Sequence, residues 1–248
     1  MENEDKLKSC KNCESSIEED FKFCPNCGQA TESEENLKSF FSHFLSDYFT
    51  FDSKISRSIL PLITKPGFLT LEYVRGKKAH YIPPLRLYIF TSILFFLLFS
   101  WLNKSSYTPE ETINSTTVFW DNFFESWLPK LFFVLLPIFA LIISWLFRKG
   151  TKSMLPHFLF AFHFHSTVFL VGIIYVLISW VFTGFEWQQV NAITLVLFSL
   201  YLAAYLWKSL RFVFKESRKK TAWKYLVLIS LYSIAIVVSS MVLLFFKL

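Results

Sequence analysis

Residues 66–99 read PGFLTLEYVRGKKAHYIPPLRLYIFTSILFFLLF, and this stretch divides a polar region of the chain from an apolar one. The apolar run that ends the stretch approaches the roughly 20 residues with which a helix crosses a bilayer. The stretch therefore predicts where the chain meets a membrane surface and enters it. Four basic residues crowd against the start of the apolar run: Arg75, Lys77, Lys78 and Arg86.

The composition of the whole chain agrees with a membrane protein. Of its 248 residues, 53% are hydrophobic and only 18% are charged, whereas about a quarter of the residues of a soluble domain are charged. The apolar runs predict a mostly α-helical integral membrane bundle. We place its five spans at Leu85–Leu102, Leu128–Phe147, Met154–Phe182, Val190–Trp207 and Trp223–Phe246. The third is long for a perpendicular crossing, so Pro156 and His157 are expected in a re-entrant or interfacial beginning.

The charges between these spans predict how the bundle is oriented. Residues 103–127 hold one Lys against four acidic residues, and residues 183–189 hold a single Glu. Residues 148–152 hold three basic residues and no acid, and residues 208–224 hold seven basic residues and one acid. Since basic loops stay on the cytoplasmic side, we expect a cytosolic N-terminus and an outside C-terminus.

The four cysteines of the chain form two C-x-x-C pairs near the N-terminus, Cys10 with Cys13 and Cys24 with Cys27. Two such pairs place four thiolates where they can surround one metal ion tetrahedrally. Gly28 follows the second pair and suits the tight turn of a metal knuckle. We therefore predict a zinc ribbon over residues 1–30, with a structural zinc ion that has no open coordination position.

The charge of this predicted ribbon argues against nucleic acid as its partner. Residues 1–36 hold four Lys against ten acidic residues, whereas binding to phosphates requires Lys and Arg. A protein partner is the better expectation for the ribbon, and membrane lipids for the rest of the chain.

An amphipathic helix is predicted after the ribbon, because apolar residues recur at helical spacing from Leu37 to Phe49. Two interpretations stay open: the helix lies in the membrane interface, or it packs against the protein's own bundle. We assign residues 31–83 to such helices and to the basic entry segment, and residues 84–248 to the transmembrane bundle. The predicted partner-facing residues are Phe40, Phe41, Phe44 and Tyr48.

Two further sets of residues are candidates for function. The basic entry residues Arg75, Lys77, Lys78 and Arg86 are either a positive-inside anchor or a specific lipid or phosphate site. His163, His165 and Ser166 lie in the third span, where they are either a ligand-contacting site or polar residues that neighbouring helices satisfy. Because residues two apart on a helix point in different directions, the two histidines are not expected to share one metal.

Four motifs in order resemble one bacterial membrane family, catalogued as domain of unknown function 3667. They are FCPNCGQ, KPGFLTLEYVRGKKAHYIPPLRLYIFTS, FAFHFHS and LYLAAYLWKSLRFVF. The resemblance implies a zinc ribbon, an entry segment and several transmembrane helices in a bacterial inner membrane, and it implies no reaction. The matching positions are Pro66, Gly67, Tyr73, Gly76, Lys77, Tyr81, Pro84 and Arg86, then His163, His165 and Ser166.

The sequence leaves three functions open, and a non-catalytic role is favoured over an enzymatic one. The leading hypothesis is a binding or assembly subunit of a membrane complex, which docks a partner through the ribbon and the aromatic helix. The second is a small-solute or lipid transporter or channel, which requires a continuous polar path through the bundle. The third is an enzyme acting on lipid head groups, which requires the histidines and the basic residues to meet in one cleft. No catalytic residue is assigned.

Overall fold

The computed structural model describes residues 7–18, 20–31, 54–105, 127–148, 153–183 and 188–246. The predicted aromatic helix with Phe40, Phe41, Phe44 and Tyr48 lies outside these residues. The described chain is mostly helical, as predicted. Two strands, β1 (Leu7–Ser9) and β2 (Ser16–Glu18), precede the helices α1 (Lys54–Thr64), α2 (Phe68–Val74), α3 (Pro84–Ser105), α4 (Leu128–Leu146), α5 (Leu155–Thr183), α6 (Gln188–Phe214) and α7 (Arg218–Phe246).

Helices α3 to α7 are long and apolar enough to cross a membrane, which confirms a multi-pass protein with five spans in its described residues. The apolar segments are Pro84–Leu102, Leu128–Leu146, Leu155–Phe182, Gln189–Phe214 and Arg218–Val242. The last two pass the predicted boundaries, so that three residues, 215–217, separate α6 from α7. Lys and Arg are good helix formers whose long side chains reach water from a helix end. The basic loop between the last two spans is therefore shorter than predicted.

The predicted re-entrant beginning of the third span is wrong. Helix α5 is continuous from Leu155 to Thr183, which makes it about 43 Å long at 1.5 Å per residue. Pro156 is compatible with this helix because a proline in the first turn removes no intrahelical hydrogen bond. His157 therefore lies in the first turn, where its ring stacks on the ring of Phe214, with 5.4 Å between the two ring centres. The contact lies at the end of the bundle where α4 and α6 finish and α5 and α7 begin. We call it the basic end, because residues 208–224 there hold seven Lys and Arg.

The short helices α1 and α2 pack against the bundle at this basic end. Leu62 and Leu69 share a buried apolar cluster with Leu87 of α3 and Leu170 of α5. Pro61 does not interrupt α1, which continues to Thr64, although a proline at an interior position removes one intrahelical hydrogen bond. These described helices therefore pack against the protein's own bundle.

Two tyrosines of α6 satisfy the carboxyl end of α1. The Tyr205 hydroxyl donates to the carbonyl of Leu62, and the Tyr201 hydroxyl donates to that of Ile63, both at 2.6 Å. The last four carbonyls of a helix have no partner within it. A helix that ends against apolar spans needs such donors, since water is excluded there.

Two glycines define the ends of α2. Gly67 precedes the helix with φ 78° and lies against the backbone of Ser209. Gly76 follows it with φ 95°, and the N–H groups of Gly76 and Lys77 donate to the carbonyls of Tyr73 and Glu72. This pair of hydrogen bonds is the Schellman motif. Gly76 therefore ends the short helix.

The core of the bundle is filled mainly by aromatic rings. Phe139, Phe160 and Phe169 are fully buried, and they pack with Tyr88 and Phe162 in one large apolar cluster. Helix α3 packs most extensively on α5, and α4 packs on α7. Among the described spans, helix α5 is the most enclosed.

We predict that Gly67→Ala lowers the free energy of unfolding by about 2 kcal/mol, because an added Cβ is strained at positive φ and overpacks its surroundings. That Cβ would lie 2.9 Å from Val213 Cγ2 and 3.1 Å from the Ser209 carbonyl oxygen. Thermal unfolding of the detergent-solubilised protein measures the change. Val74→Ala, at an exposed position of α2, is the control and should change stability by less than about 0.5 kcal/mol. Equal stability of the two variants would contradict the docking of α2 on α6.

Candidate functional site

The N-terminal ribbon is built from two knuckles and a short hairpin. Strands β1 and β2 are antiparallel, with Lys8 opposite Ile17. The N–H of Glu14 bonds to the carbonyl of Cys10 at 2.9 Å, and the N–H of Gly28 bonds to that of Cys24 at 2.8 Å. Gly28 has φ 70°, as its position in the motif suggests, whereas Glu14 reaches φ 63° without being glycine.

The four cysteine sulfurs have the spacing of a metal site. Cys10 and Cys27 Sγ lie 3.6 Å apart, as do Cys13 and Cys24 Sγ, and all four sulfurs lie within 4.8 Å of one another. In a tetrahedron with metal–sulfur bonds of about 2.3 Å, the sulfurs are separated by about 3.8 Å. The four cysteines can therefore bind a metal ion with little rearrangement.

The surroundings of two of these sulfurs differ strongly. The hydroxyl and the backbone N–H of Ser15 lower the pKa of Cys13 to about 6. Burial raises the pKa of Cys27 to about 11, although the buried amide of Asn12 and the backbone at Gln29 act against it. A bound metal ion supplies the positive charge that holds every ligand as a thiolate. In the metal-free ribbon, Cys27 would instead stay protonated as a thiol at neutral pH.

Gln29 joins the ribbon to the loop between α2 and α3. Its side-chain NH₂ donates to the Gly76 carbonyl at 2.6 Å, and its carbonyl oxygen accepts the N–H groups of Lys78 and Ala79 at 3.1 and 3.2 Å. The aliphatic part of Lys11 lies against Gly76. The ribbon is thus attached to the segment that leads into the first span.

Part of the predicted basic entry site surrounds a buried carboxylate. Glu72 bonds to Arg75 at 2.9 Å and to Lys77 at 3.2 Å. Burial and the nearby Glu72 carboxylate raise the pKa of Tyr81. Lys78 Nζ lies 5.7 Å from the centre of the Tyr73 ring, and Arg86 lies in the first turn of α3. Two of the four predicted cations therefore form ion pairs with one acid, which the sequence analysis did not single out.

His163 connects α5 to α2. It is only 5% exposed, and its Nδ1 lies 2.9 Å from the hydroxyl of Thr70. Since His163 is eight residues into α5, this contact lies about 12 Å along the helix from its first residue. The hydrogen bond therefore holds the entry segment against the inside of the bundle.

His165 makes a separate set of contacts. Its Nδ1 lies 2.8 Å from the Ala161 carbonyl, and its Nε2 lies 2.8 Å from the Tyr232 hydroxyl. A carbonyl only accepts hydrogen bonds, so a neutral ring carries its proton on Nδ1 and accepts from the tyrosine. The Ser166 hydroxyl donates to the Phe162 carbonyl at 2.8 Å. The structure does not bring the two histidines together, and each has a protein partner.

The sequence did not predict which side chains contact His163 and His165. Thr70 and Tyr232 are 93 and 67 residues from the histidines that they contact, and no periodicity relates such distant positions. Gln29 directly follows the second knuckle in the motif FCPNCGQ. That position was the sequence feature that could have indicated its contact with the loop between α2 and α3. Glu72 gave a weaker one, as an acid isolated among basic residues.

The comparisons with known proteins bear on the entry segment. Residues 52–96 match the model of a family described as protein of unknown function (DUF3667), which confirms the resemblance drawn from the sequence. The matched residues include α1, α2 and the first half of α3, but neither the four cysteines nor His163 and His165. No curated protein and no solved structure matches the chain significantly.

We predict that Cys24→Ser unfolds the ribbon and abolishes metal binding while the bundle stays inserted. The reason is that Cys10, Ile17 and Cys24 form a core that shares no residue with the bundle clusters, and a segment of this size depends on its metal to fold. Elemental analysis and the thermal unfolding of the bundle check both parts. Ser16→Ala, an exposed change in β2, should alter neither. Loss of the whole protein from the membrane would show that the bundle needs the ribbon.

We predict that Thr70→Val lowers the free energy of unfolding by about 1–3 kcal/mol, because it leaves the buried Nδ1 of His163 without its partner. The double variant Thr70→Val with His163→Leu should recover most of this loss, since replacing both polar partners by apolar groups is nearly neutral. Thermal unfolding of the wild type, both single variants and the double variant gives the coupling. Additive losses would mean that the hydrogen bond does not join α2 to α5.

Proposed function

We propose that this membrane protein, whose entry segment matches a family of unknown function, is a non-catalytic binding or assembly subunit of a membrane complex. The observation that carries the proposal is a pair of exposed aromatic rings on the ribbon. Phe21 is 41% exposed and Phe23 is 63% exposed, within a module held together by a small core and a metal site. Exposed phenyl rings of this kind are typical of surfaces that bind another protein.

The attachment of the ribbon supports a docking role. Through Gln29 the ribbon bonds to three backbone groups of the loop before the first span. A partner that binds a surface held in place loses less orientational freedom than one that binds a freely tethered module. The ribbon therefore presents its two rings at a defined position beside the bundle.

The charge around the two rings indicates the chemistry of the partner. Glu14, Glu18 and Asp20 are exposed on the same small module, and although Lys22 lies exposed between the two rings, residues 1–36 hold ten acidic residues against four Lys. We propose a protein partner with a basic rim and an apolar centre, since complementary charges favour such an encounter. Phosphate-bearing partners, whether nucleic acid or an anionic membrane surface, would be repelled. The predicted helix with Phe40, Phe41, Phe44 and Tyr48 follows the ribbon and would extend the docking surface.

The metal and the location belong to the same proposal. We assign zinc to the four cysteines because a closed set of four thiolates is typical of structural zinc. The positive-inside pattern supports a cytosolic ribbon and an outside C-terminus, and the family resemblance supports a bacterial inner membrane. The partner would then be met on the cytosolic side.

The described core supports binding over transport. The hydroxyls of Thr91, Ser166 and Thr167 each donate to a carbonyl one turn earlier in their own helix. The largest apolar cluster of the described bundle is rich in aromatic rings, whereas a solute path needs polar groups that face a continuous opening. Lipid head-group chemistry is also less well supported, because Glu72 engages two of the cations and His163 is buried against Thr70.

We predict that replacing both Phe21 and Phe23 by Ser releases the partner while the ribbon keeps its metal, since aromatic interface residues contribute about 2 kcal/mol or more each. The measurement compares the mass of the complex in mild detergent, for wild type and variant, with the partner identified by mass spectrometry. Lys22→Ser, between the two rings, is the matched control and should retain the partner.

Two results would contradict the docking role. One is a wild-type protein that runs as a lone monomer in every mild detergent. The other is a double Ser variant that binds the same protein in the same ratio as the wild type. Metal content measured on each sample separates the loss of a docking surface from the loss of the ribbon fold.

A further inference from the structure

A cavity of about 300 Å³ lies within the bundle between α4, α5 and α7. Leu131, Leu135 and Phe139 of α4 line one side of it, and Ile229 and Tyr232 of α7 line another. His165 of α5 also contributes to the wall. The cavity is distinct from the metal site, from the entry segment and from the exposed rings of the ribbon.

The walls of this cavity present no free polar group among the described residues. Its two polar side chains, His165 and Tyr232, are hydrogen-bonded to each other at 2.8 Å, and the second ring nitrogen of His165 bonds to Ala161. The atoms of His165 and Tyr232 that line the cavity are therefore carbon atoms of their rings. An apolar cavity without polar partners does not hold water but accepts apolar molecules, so a polar solute is excluded as its occupant.

The cavity is partly open, and its position gives it access to hydrocarbon. Ile229 lines it and is also 40% exposed on α7, a helix that is long and apolar enough to span the membrane. At the opening, Ile229 therefore faces lipid tails rather than water. Since an unfilled void deprives its lining of dispersion contacts, the surrounding hydrocarbon would enter it.

We propose that this cavity binds one acyl chain of a bilayer phospholipid, inserted laterally past Ile229. The size agrees with this occupant: an apolar cavity of about 150 Å³ holds a benzene molecule, so twice that volume accepts about a dozen carbon atoms. The inference is independent of the proposed docking function, because it concerns no residue of the ribbon.

The test uses a phosphatidylcholine that carries a photoreactive diazirine near the end of one acyl chain. The full-length protein is reconstituted in nanodiscs with this lipid, irradiated and digested, and the labelled positions are mapped by mass spectrometry. Ile229→Trp and Leu135→Phe narrow the cavity from two helices. Their matched controls are Leu226→Trp on α7 and Leu141→Phe on α4, at exposed positions that do not line the cavity.

In the wild type we expect the label to concentrate on residues 131–139 and 229–236. Each narrowing variant should reduce the label on these two segments by about tenfold, because a small loss of binding free energy produces a change of that size. Both control variants should keep the wild-type amount of label. The wild-type protein alone can overturn the proposal. It would do so if the label were as frequent on the exposed α6 residues Leu197 and Leu200 as on the cavity walls. Unchanged label in narrowing variants that keep the wild-type unfolding temperature would also overturn it.

Discussion

The structure depends on how the non-spanning segment 54–79 is accommodated beside a bundle of apolar helices. A short helix that ends against such a bundle has carbonyls that water does not reach. Here the hydroxyls of Tyr201 and Tyr205 satisfy the end of α1, and Gly67 lets the chain approach the backbone of Ser209 before α2 begins. These contacts set where α2 lies, and the start of α3 and the position of the ribbon follow from it.

A continuous series of contacts runs from the metal site to the middle of the bundle. The second knuckle leads to Gln29, which holds the loop at Gly76. That loop closes the Schellman motif of α2, and Thr70 on α2 is hydrogen-bonded to His163 of α5. The ribbon is therefore positioned by hydrogen bonds to backbone groups, although its apolar core is separate from that of the bundle.

Several polar groups inside the described bundle form hydrogen bonds, and they do so in two ways. Hydroxyls such as those of Ser166 and Thr167 bond to carbonyls one turn earlier in their own helix, which satisfies them without joining helices. The histidines instead reach side chains of other helices. Because a buried polar group without a partner costs more than its hydrogen bond contributes, the two histidines specify which helices lie next to α5.

The chain by itself determined the features that depend on local pattern: five apolar spans, four cysteines at knuckle spacing and the helix end at Gly76. Each follows from the length of a run, the spacing of ligands or the conformational freedom of glycine. Helix ends at the membrane border were placed less well, because Lys and Arg continue a helix into water. Only the tertiary structure decided the partners of Glu72, His163 and His165 and the existence of the apolar cavity. These depend on side chains distant in sequence that meet when the helices pack, and no local pattern encodes such meetings.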